Sequence, residues 1–242
     1  MDGFGRILDK VTDLRGLCKK HTGDDEIRPI SVAVPKGLLD ELYFRKTVSW
    51  LYVLLNETGP FFRFSAKLLR SDQQVSERFK NFKFFVECAR TVHAHNLSKD
   101  SPSDTRRQRN HDIWLIENGG EPVDWVKCCK SLIVEAEAVL QDILSRFCAI
   151  CEIEFDRVEL WREYADDKRT HWEAHEFDPI IEKAASDLKI EQLNCVLFRN
   201  EGKRLEQWRK YAAMFDSRTA AETALERVVR EELARIFGMP QI

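Results

Sequence analysis

Residues 122–151 have the sequence PVDWVKCCKSLIVEAEAVLQDILSRFCAIC. Their apolar side chains recur every three or four positions and form one stripe, made of Trp125, Val126, Cys129, Leu132, Ile133, Ala136, Leu140, Ile143, Leu144 and Phe147. This period indicates an amphipathic α-helix that buries one face. At 1.5 Å per residue the helix is about 45 Å long, enough to pair with another helix along its whole length.

Helical spacing continues on both sides of this segment. The predicted helices are 4–20, Pro35 to Gly59, and Ser71 or Asp72 to Leu97 before it, and 155–187 and 190–237 after it. No run alternates well enough to indicate a sheet, and most glycines and prolines fall between the helical segments. We therefore predict an all-α protein: an antiparallel helix bundle over residues 1–154, followed by a C-terminal helical extension over 155–242.

Composition limits the class of protein. The seven cysteines are odd in number and unevenly spaced, which is typical of reduced thiols and predicts a cytoplasmic protein. The first residues do not form a signal peptide, and no later stretch has 18 uncharged apolar residues, so we expect no membrane association. The net charge is only -3, although 33% of the residues are charged, because both signs are present in similar numbers. Any nucleic-acid site must therefore be local.

Residues 90–96, RTVHAHN, carry the most distinctive polar pattern, near the end of the predicted third helix. On a helical wheel Arg90 and His95 lie outside the core stripe of this helix, whereas His93 lies inside it and is expected to be a hydrogen-bonded core histidine. Glu87 and Thr91 also lie outside the stripe. Histidine can transfer protons near neutral pH, and arginine can hold a phosphate with two hydrogen bonds.

The pattern of an arginine, four residues and then His95-Asn96 resembles the motif of the HEPN superfamily. The resemblance covers residues 1 to about 155. It implies a helical bundle and a metal-independent endoribonuclease of the toxin or antiviral-defence type, with Arg90 and His95 as the catalytic pair. The chain departs from the family at Thr91, where Asn, Asp or His is frequent. It also has Leu97 where one toxin branch has a tyrosine, which argues against regulation by tyrosine modification.

The resemblance also suggests roles for neighbouring residues in RNA cleavage by 2′-hydroxyl attack. Asn96 would orient the phosphate or the histidine, and Glu87 and Thr91 would support the pair. Residues 98–110 contain Pro102 and no other apolar residue, so we predict a mobile loop there. Its cations are expected to hold the RNA backbone: Lys99, Arg106, Arg107 and Arg109.

Partners are predicted from the outward face of the same helix. Phe84 and Cys88 share that face with His95, which favours packing against a second subunit or against the C-terminal segment. We expect a homodimer that combines two Arg–His pairs, acts on RNA and is held in check by an antitoxin or another regulatory protein. We expect neither a metal nor a cofactor.

Three alternatives stay open. Arg90 could be a surface partner of Glu87, with His95 merely suited to a helix C-terminus. The bundle could be a catalytically inactive HEPN-like module that acts through a partner protein, which Thr91 favours slightly. A metal-dependent hydrolase could instead centre on His171 and His175, one helical turn apart, if further ligands converge there.

Overall fold

The structure is a computed structural model that describes residues 3–239. Within that range the chain forms eleven α-helices and two short 3-10 turns, with no strand. The all-α class predicted from the sequence is therefore confirmed.

The helices have these bounds: α1 Gly3–Thr22, α2 Glu41–Asn56, α3 Pro60–Leu68, α4 Gln73–Ala94, α5 Pro102–Gly119, α6 Trp125–Glu152, α7 Glu154–Thr170, α8 Asp178–Asp187, α9 Cys195–Asn200, α10 Arg204–Ala212 and α11 Arg218–Ile236. The 3-10 turns are Ala174–Phe177 and Glu201–Lys203. The chain divides into two compact units, residues 1–160 and 161–242. The predicted boundary at residue 154 lies six residues before this division, which falls inside α7.

Helix α6 is the centre of the first unit, as its apolar stripe predicts. All residues of that stripe are at least partly buried except Val126. Along α1 and α6, Arg6 bonds to Glu137 at 2.8 Å and Lys10 to Gln141. The second contact lies four residues further along both helices, so α1 and α6 run parallel to each other. The bundle is therefore not purely antiparallel.

Local capping explains where the other helices begin. Helix α2 starts at Glu41 rather than at Pro35, because the Asp40 carboxylate accepts a hydrogen bond from the Tyr43 amide at 2.8 Å. Asp72 caps α4 in the same way, as predicted, by accepting from the Val75 amide at 3.1 Å. Pro60 begins the separate helix α3, which the sequence reasoning missed.

The predicted mobile loop over residues 98–110 is wrong. Most of this segment belongs to α5, whose N-cap Ser101 accepts a hydrogen bond from the Asp104 amide at 3.3 Å. Pro102 occupies the first turn, where a missing N–H costs nothing. The start of α5 is polar because it faces solvent, and its buried residues, including Trp114 and Leu115, come later in the sequence.

The second unit has its own core, and the two long helices predicted there are interrupted. Buried aromatic and aliphatic side chains form this core: Trp172, Phe177, Ile181, Trp208, Leu225, Val229 and Leu233. Arg218 ties the segments together by bonding Glu176 at 2.7 Å and the Lys168 carbonyl at 2.8 Å. Lys189, with φ 54°, ends α8 in a left-handed conformation.

None of the helices between residues 3 and 239 is long and apolar enough to cross a membrane.

Gly119 offers a test of packing between α5 and the start of α6. A Cβ atom there would lie 2.5 Å from the Cys128 Sγ and 3.3 Å from the backbone N and O of Asp124. We expect Gly119→Ala to lower the free energy of unfolding by about 1–3 kcal/mol, measured by urea denaturation.

Gly16 is the matched control, because nothing lies within 4 Å of a Cβ atom at this exposed site in α1. Gly16→Ala should raise the free energy of unfolding by about 0.5–1 kcal/mol, since alanine favours helix. Equal effects of the two substitutions would contradict the close approach at Gly119.

Candidate functional site

Arg90 lies near the end of α4 and is half-buried. Its guanidinium sits over the ring of Tyr52 on α2, 5.9 Å from the ring centroid. Among residues 3–239 no carboxylate lies within 4.0 Å of this guanidinium, so the surface ion pair with Glu87 is not formed. The charge of Arg90 is thus held against an aromatic face without being neutralised by direct pairing.

Glu87 and Thr91 adjoin Arg90 on the same helix. The Thr91 hydroxyl donates to the Glu87 carbonyl at 2.8 Å, so its proton is used within the helix. Burial raises the pKa of Tyr52, Glu57 and Glu87 raise it further, and Arg90 lowers it. Glu87 therefore contributes negative potential to the surroundings of Arg90 and Tyr52.

His95 is the residue at which α4 ends. Its amide donates to the Thr91 carbonyl at 3.0 Å, and its backbone is extended, with φ -130° and ψ 148°. The side chains of His95 and Asn96 are exposed. No side chain or backbone group of the described chain hydrogen-bonds the His95 imidazole, which leaves both ring nitrogens available to a ligand. Arg90 and His95 both lie at one end of α4, and no hydrogen bond joins them in the described chain.

His93 has a different environment, although only one residue separates it from His95. Its ring packs edge-on against Phe44, with centroids 6.1 Å apart, and against His111, with centroids 4.9 Å apart. His93 faces the aromatic residues of the core, as predicted, but its side chain is only half-buried. The expected hydrogen bond is not formed: the Nε2 atom is buried and has no partner in residues 3–239. Burial, together with the nearby His111 and Arg45, lowers the pKa of His93 to about 4, and burial is the largest of the three causes.

His111 was not singled out by the sequence reasoning. It lies on α5, is 5% exposed, and has its Nδ1 3.1 Å from an Asp112 carboxylate oxygen. The available signal was its helical spacing with Trp114 and Leu115, which places all three on one face. That signal was lost because the preceding residues suggested a loop.

The outward face expected to hold a second subunit is covered within the chain. Helix α5 packs against α4, Cys88 is 0% exposed, and Arg106 places its guanidinium 5.3 Å from the centroid of the Phe84 ring. Phe84 and Cys88 were expected to pack against a second subunit or against the C-terminal segment, and it is α5 that packs there instead. The helix that covers them is the segment that was expected to be mobile.

The four cations predicted to bind RNA differ in their surroundings. Lys99 is exposed in the connection before α5, and Arg106 covers Phe84. Arg107 is paired with Asp104 at 3.1 Å. Arg109 is exposed, and no residue of the described range pairs with it. Arg109 and Lys99 are therefore the cations most open to an incoming phosphate.

The histidines of the second unit do not form a larger cluster. The His171 Nε2 lies 3.1 Å from a Glu173 carboxylate oxygen, and His175 is exposed in a 3-10 turn. Between residues 3 and 239 no group of three or more His, Cys, Asp and Glu side chains is placed to hold a metal ion. The hydrolase alternative needed such converging ligands.

Comparison with known proteins gives no match: no family model, no curated protein and no solved structure is similar to this chain.

Proposed function

We propose that the first unit is a HEPN-like, metal-independent endoribonuclease in which Arg90 and His95 form the catalytic pair. One observation carries the proposal. Near the end of α4, Arg90 has no carboxylate partner, and five residues later His95 has an exposed imidazole with no hydrogen-bond partner, both within the described residues 3–239. A phosphodiester needs these two groups for cleavage by its own 2′-hydroxyl: one that transfers protons and one that binds the phosphate anion.

The reaction balances without an external nucleophile. A histidine base accepts the 2′-hydroxyl proton, the 2′ oxygen forms a bond to phosphorus, and the bond from phosphorus to the 5′ oxygen breaks. The departing 5′ oxygen takes a proton from an acid, which leaves a 2′,3′-cyclic phosphate and a 5′-hydroxyl. Arg90 would stabilise the negative charge on the oxygens of the five-coordinate phosphorus, and Asn96 would orient the phosphate.

A second copy of the chain would complete the acid–base pair. Two proton transfers are needed, and of the four histidines in the first unit, His21, His93, His95 and His111, only His95 is exposed. A dimer that brings two His95 side chains to one RNA strand would supply both an acid and a base. Such an enzyme suits a toxin or defence effector in the cytoplasm, restrained by an antitoxin or another regulatory protein.

Cleavage of a single-stranded RNA by the full chain tests the catalytic pair. We expect Arg90→Ala and His95→Ala each to lower the rate by about 10²-fold or more, because each removes a group acting in the transition state. Cleavage by the wild-type protein should survive EDTA and leave a 2′,3′-cyclic phosphate, identified by mass spectrometry of the products.

Matched controls are Arg227→Ala and His175→Ala, both at exposed positions in the second unit; they should cleave at the wild-type rate. An RNA with a 2′-deoxy substitution at the cleaved position should resist cleavage. Full activity of both site variants, or reversible loss of activity in EDTA, would contradict the mechanism. RNA binding without cleavage by the wild type would favour the inactive regulatory module.

The unequal surroundings of the α5 arginines predict unequal roles in RNA binding. Replacing Arg109 by alanine should reduce the slope of log affinity against log salt by about 0.7, the value for one phosphate contact of a single strand. Arg107→Ala should change the slope less, because Asp104 already pairs with Arg107. Binding by fluorescence anisotropy at several salt concentrations measures both slopes, and identical slopes in the two variants and the wild type would exclude α5 from the RNA site.

An active site that takes one His95 from each of two chains predicts a dimer in solution. Light scattering at micromolar concentration should give twice the 28.3 kDa mass of the chain. His95→Ala should also scatter as a dimer, since this side chain is assigned to chemistry rather than to folding. A wild-type monomer that cleaves RNA at full rate would show that one chain suffices and would overturn the shared site.

A further inference from the structure

Two histidine rings from different helices meet inside the first unit. His93 of α4 and His111 of α5 lie edge to face, with their centroids 4.9 Å apart and their planes at 87°. The Nε2 atom of each ring is buried, and neither has a hydrogen-bond partner among residues 3–239. A buried nitrogen without a partner is uncommon in folded proteins, and here two occur in one contact.

Aromatic side chains surround this contact. Phe44 of α2 touches the His93 ring and also packs against Trp114 of α5 and Trp125 of α6, with centroids 5.7 Å and 5.5 Å away. Trp114 in turn stacks on Phe85 of α4, 4.3 Å between centroids. The two imidazoles thus belong to a cluster that joins four helices.

Few charged groups face the pair. From α2, Arg45 acts on His93 as a like charge. From α5, Asp112 bonds the Nδ1 of His111 through a carboxylate whose side chain is half exposed. From α6, Glu135 is bound to the Trp114 indole at 3.1 Å, and burial raises the pKa of this carboxyl. None of these groups forms an ion pair with His93, so a proton on this half-buried ring would be a positive charge without a counter-ion, with the Nε2 atom shielded from water.

We propose that the His93–His111 contact is an acid-sensitive latch that holds the end of α4 against α2 and α5. The latch is closed while the His93 imidazole is neutral. A proton on His93 would place its charge beside Arg45 and a second imidazole, and the end of α4 would separate from its neighbours to hydrate that charge.

The pH range follows from burial. In an opened chain His93 takes a proton near its ordinary pKa of about 6.5, whereas the closed structure lowers that pKa to about 4. Between these values the opened form binds more protons than the closed form, so the closed form is fully favoured above pH 6.5 and loses stability as the pH falls towards 4. His95 lies two residues beyond His93, so opening would also displace the catalytic end of α4, a consequence that rests on the proposed function.

Hydrogen exchange of the full chain, comparing wild type with His93→Phe, tests the latch. Phenylalanine preserves an aromatic ring of similar size but cannot take a proton. After correction for the intrinsic effect of pH on exchange, the wild-type opening constant for residues 89–94 should rise on the order of tenfold more than the variant's between pH 7 and pH 5. Residues 7–18 of α1, which lack this contact, should respond alike in both proteins. An equal rise at residues 89–94 in both proteins would overturn the proposal.

A second measurement does not require the variant to fold. Histidine side-chain resonances of the wild-type protein can be followed by NMR from pH 7.5 to pH 4. The latch predicts that His93 stays neutral through pH 6.5 and takes its proton only as the structure opens at lower pH. Titration of His93 near pH 6.5 in a protein that remains closed would overturn it.

Discussion

The packing of α5 against α4 is the interaction on which the candidate site at the end of α4 depends. Trp114 provides its centre: the indole stacks on Phe85, and its Nε1 donates to Glu135 of α6 at 3.1 Å. The indole thereby buries a large apolar surface while its polar atom has a partner. Because α5 covers this side of α4, Cys88 is buried. The polar groups at the end of α4 that stay accessible lie on the face that α5 does not cover.

This arrangement separates two histidines that are almost adjacent in sequence. His93 points into the aromatic cluster and has a lowered pKa, whereas His95 follows the last helical residue and is exposed. The difference arises because His93 lies within α4 and packs against Phe44 and His111, whereas His95 is the C-cap, where the backbone is already extended. One imidazole is thus suited to sensing a change of environment and the other to meeting a ligand.

Sequence reasoning predicted the helical class and the features with strong periodic or capping signals. The stripe of α6 and the Asp72 cap of α4 are local patterns, and each determines its own element. The prediction failed at residues 98–110, where the polar composition suggested a loop. Ser101, Pro102 and Asp104 are instead typical of a helix start. That error removed α5 from consideration, and with it the cover over Cys88 and the contact between His93 and His111. Neither feature could be found from α4 alone, since both depend on which helix packs against it.

We propose that the end of α4, with Arg90 and His95, is the surface that meets RNA. The most direct test is NMR of histidine side chains during addition of an oligonucleotide with 2′-deoxy sugars, which can bind but cannot be cleaved. The account predicts that the His95 resonances shift in a saturable way at neutral pH, while those of His93 and His111, which pack against each other where α4 meets α5, change little. Saturable binding that leaves the His95 resonances unchanged would contradict it.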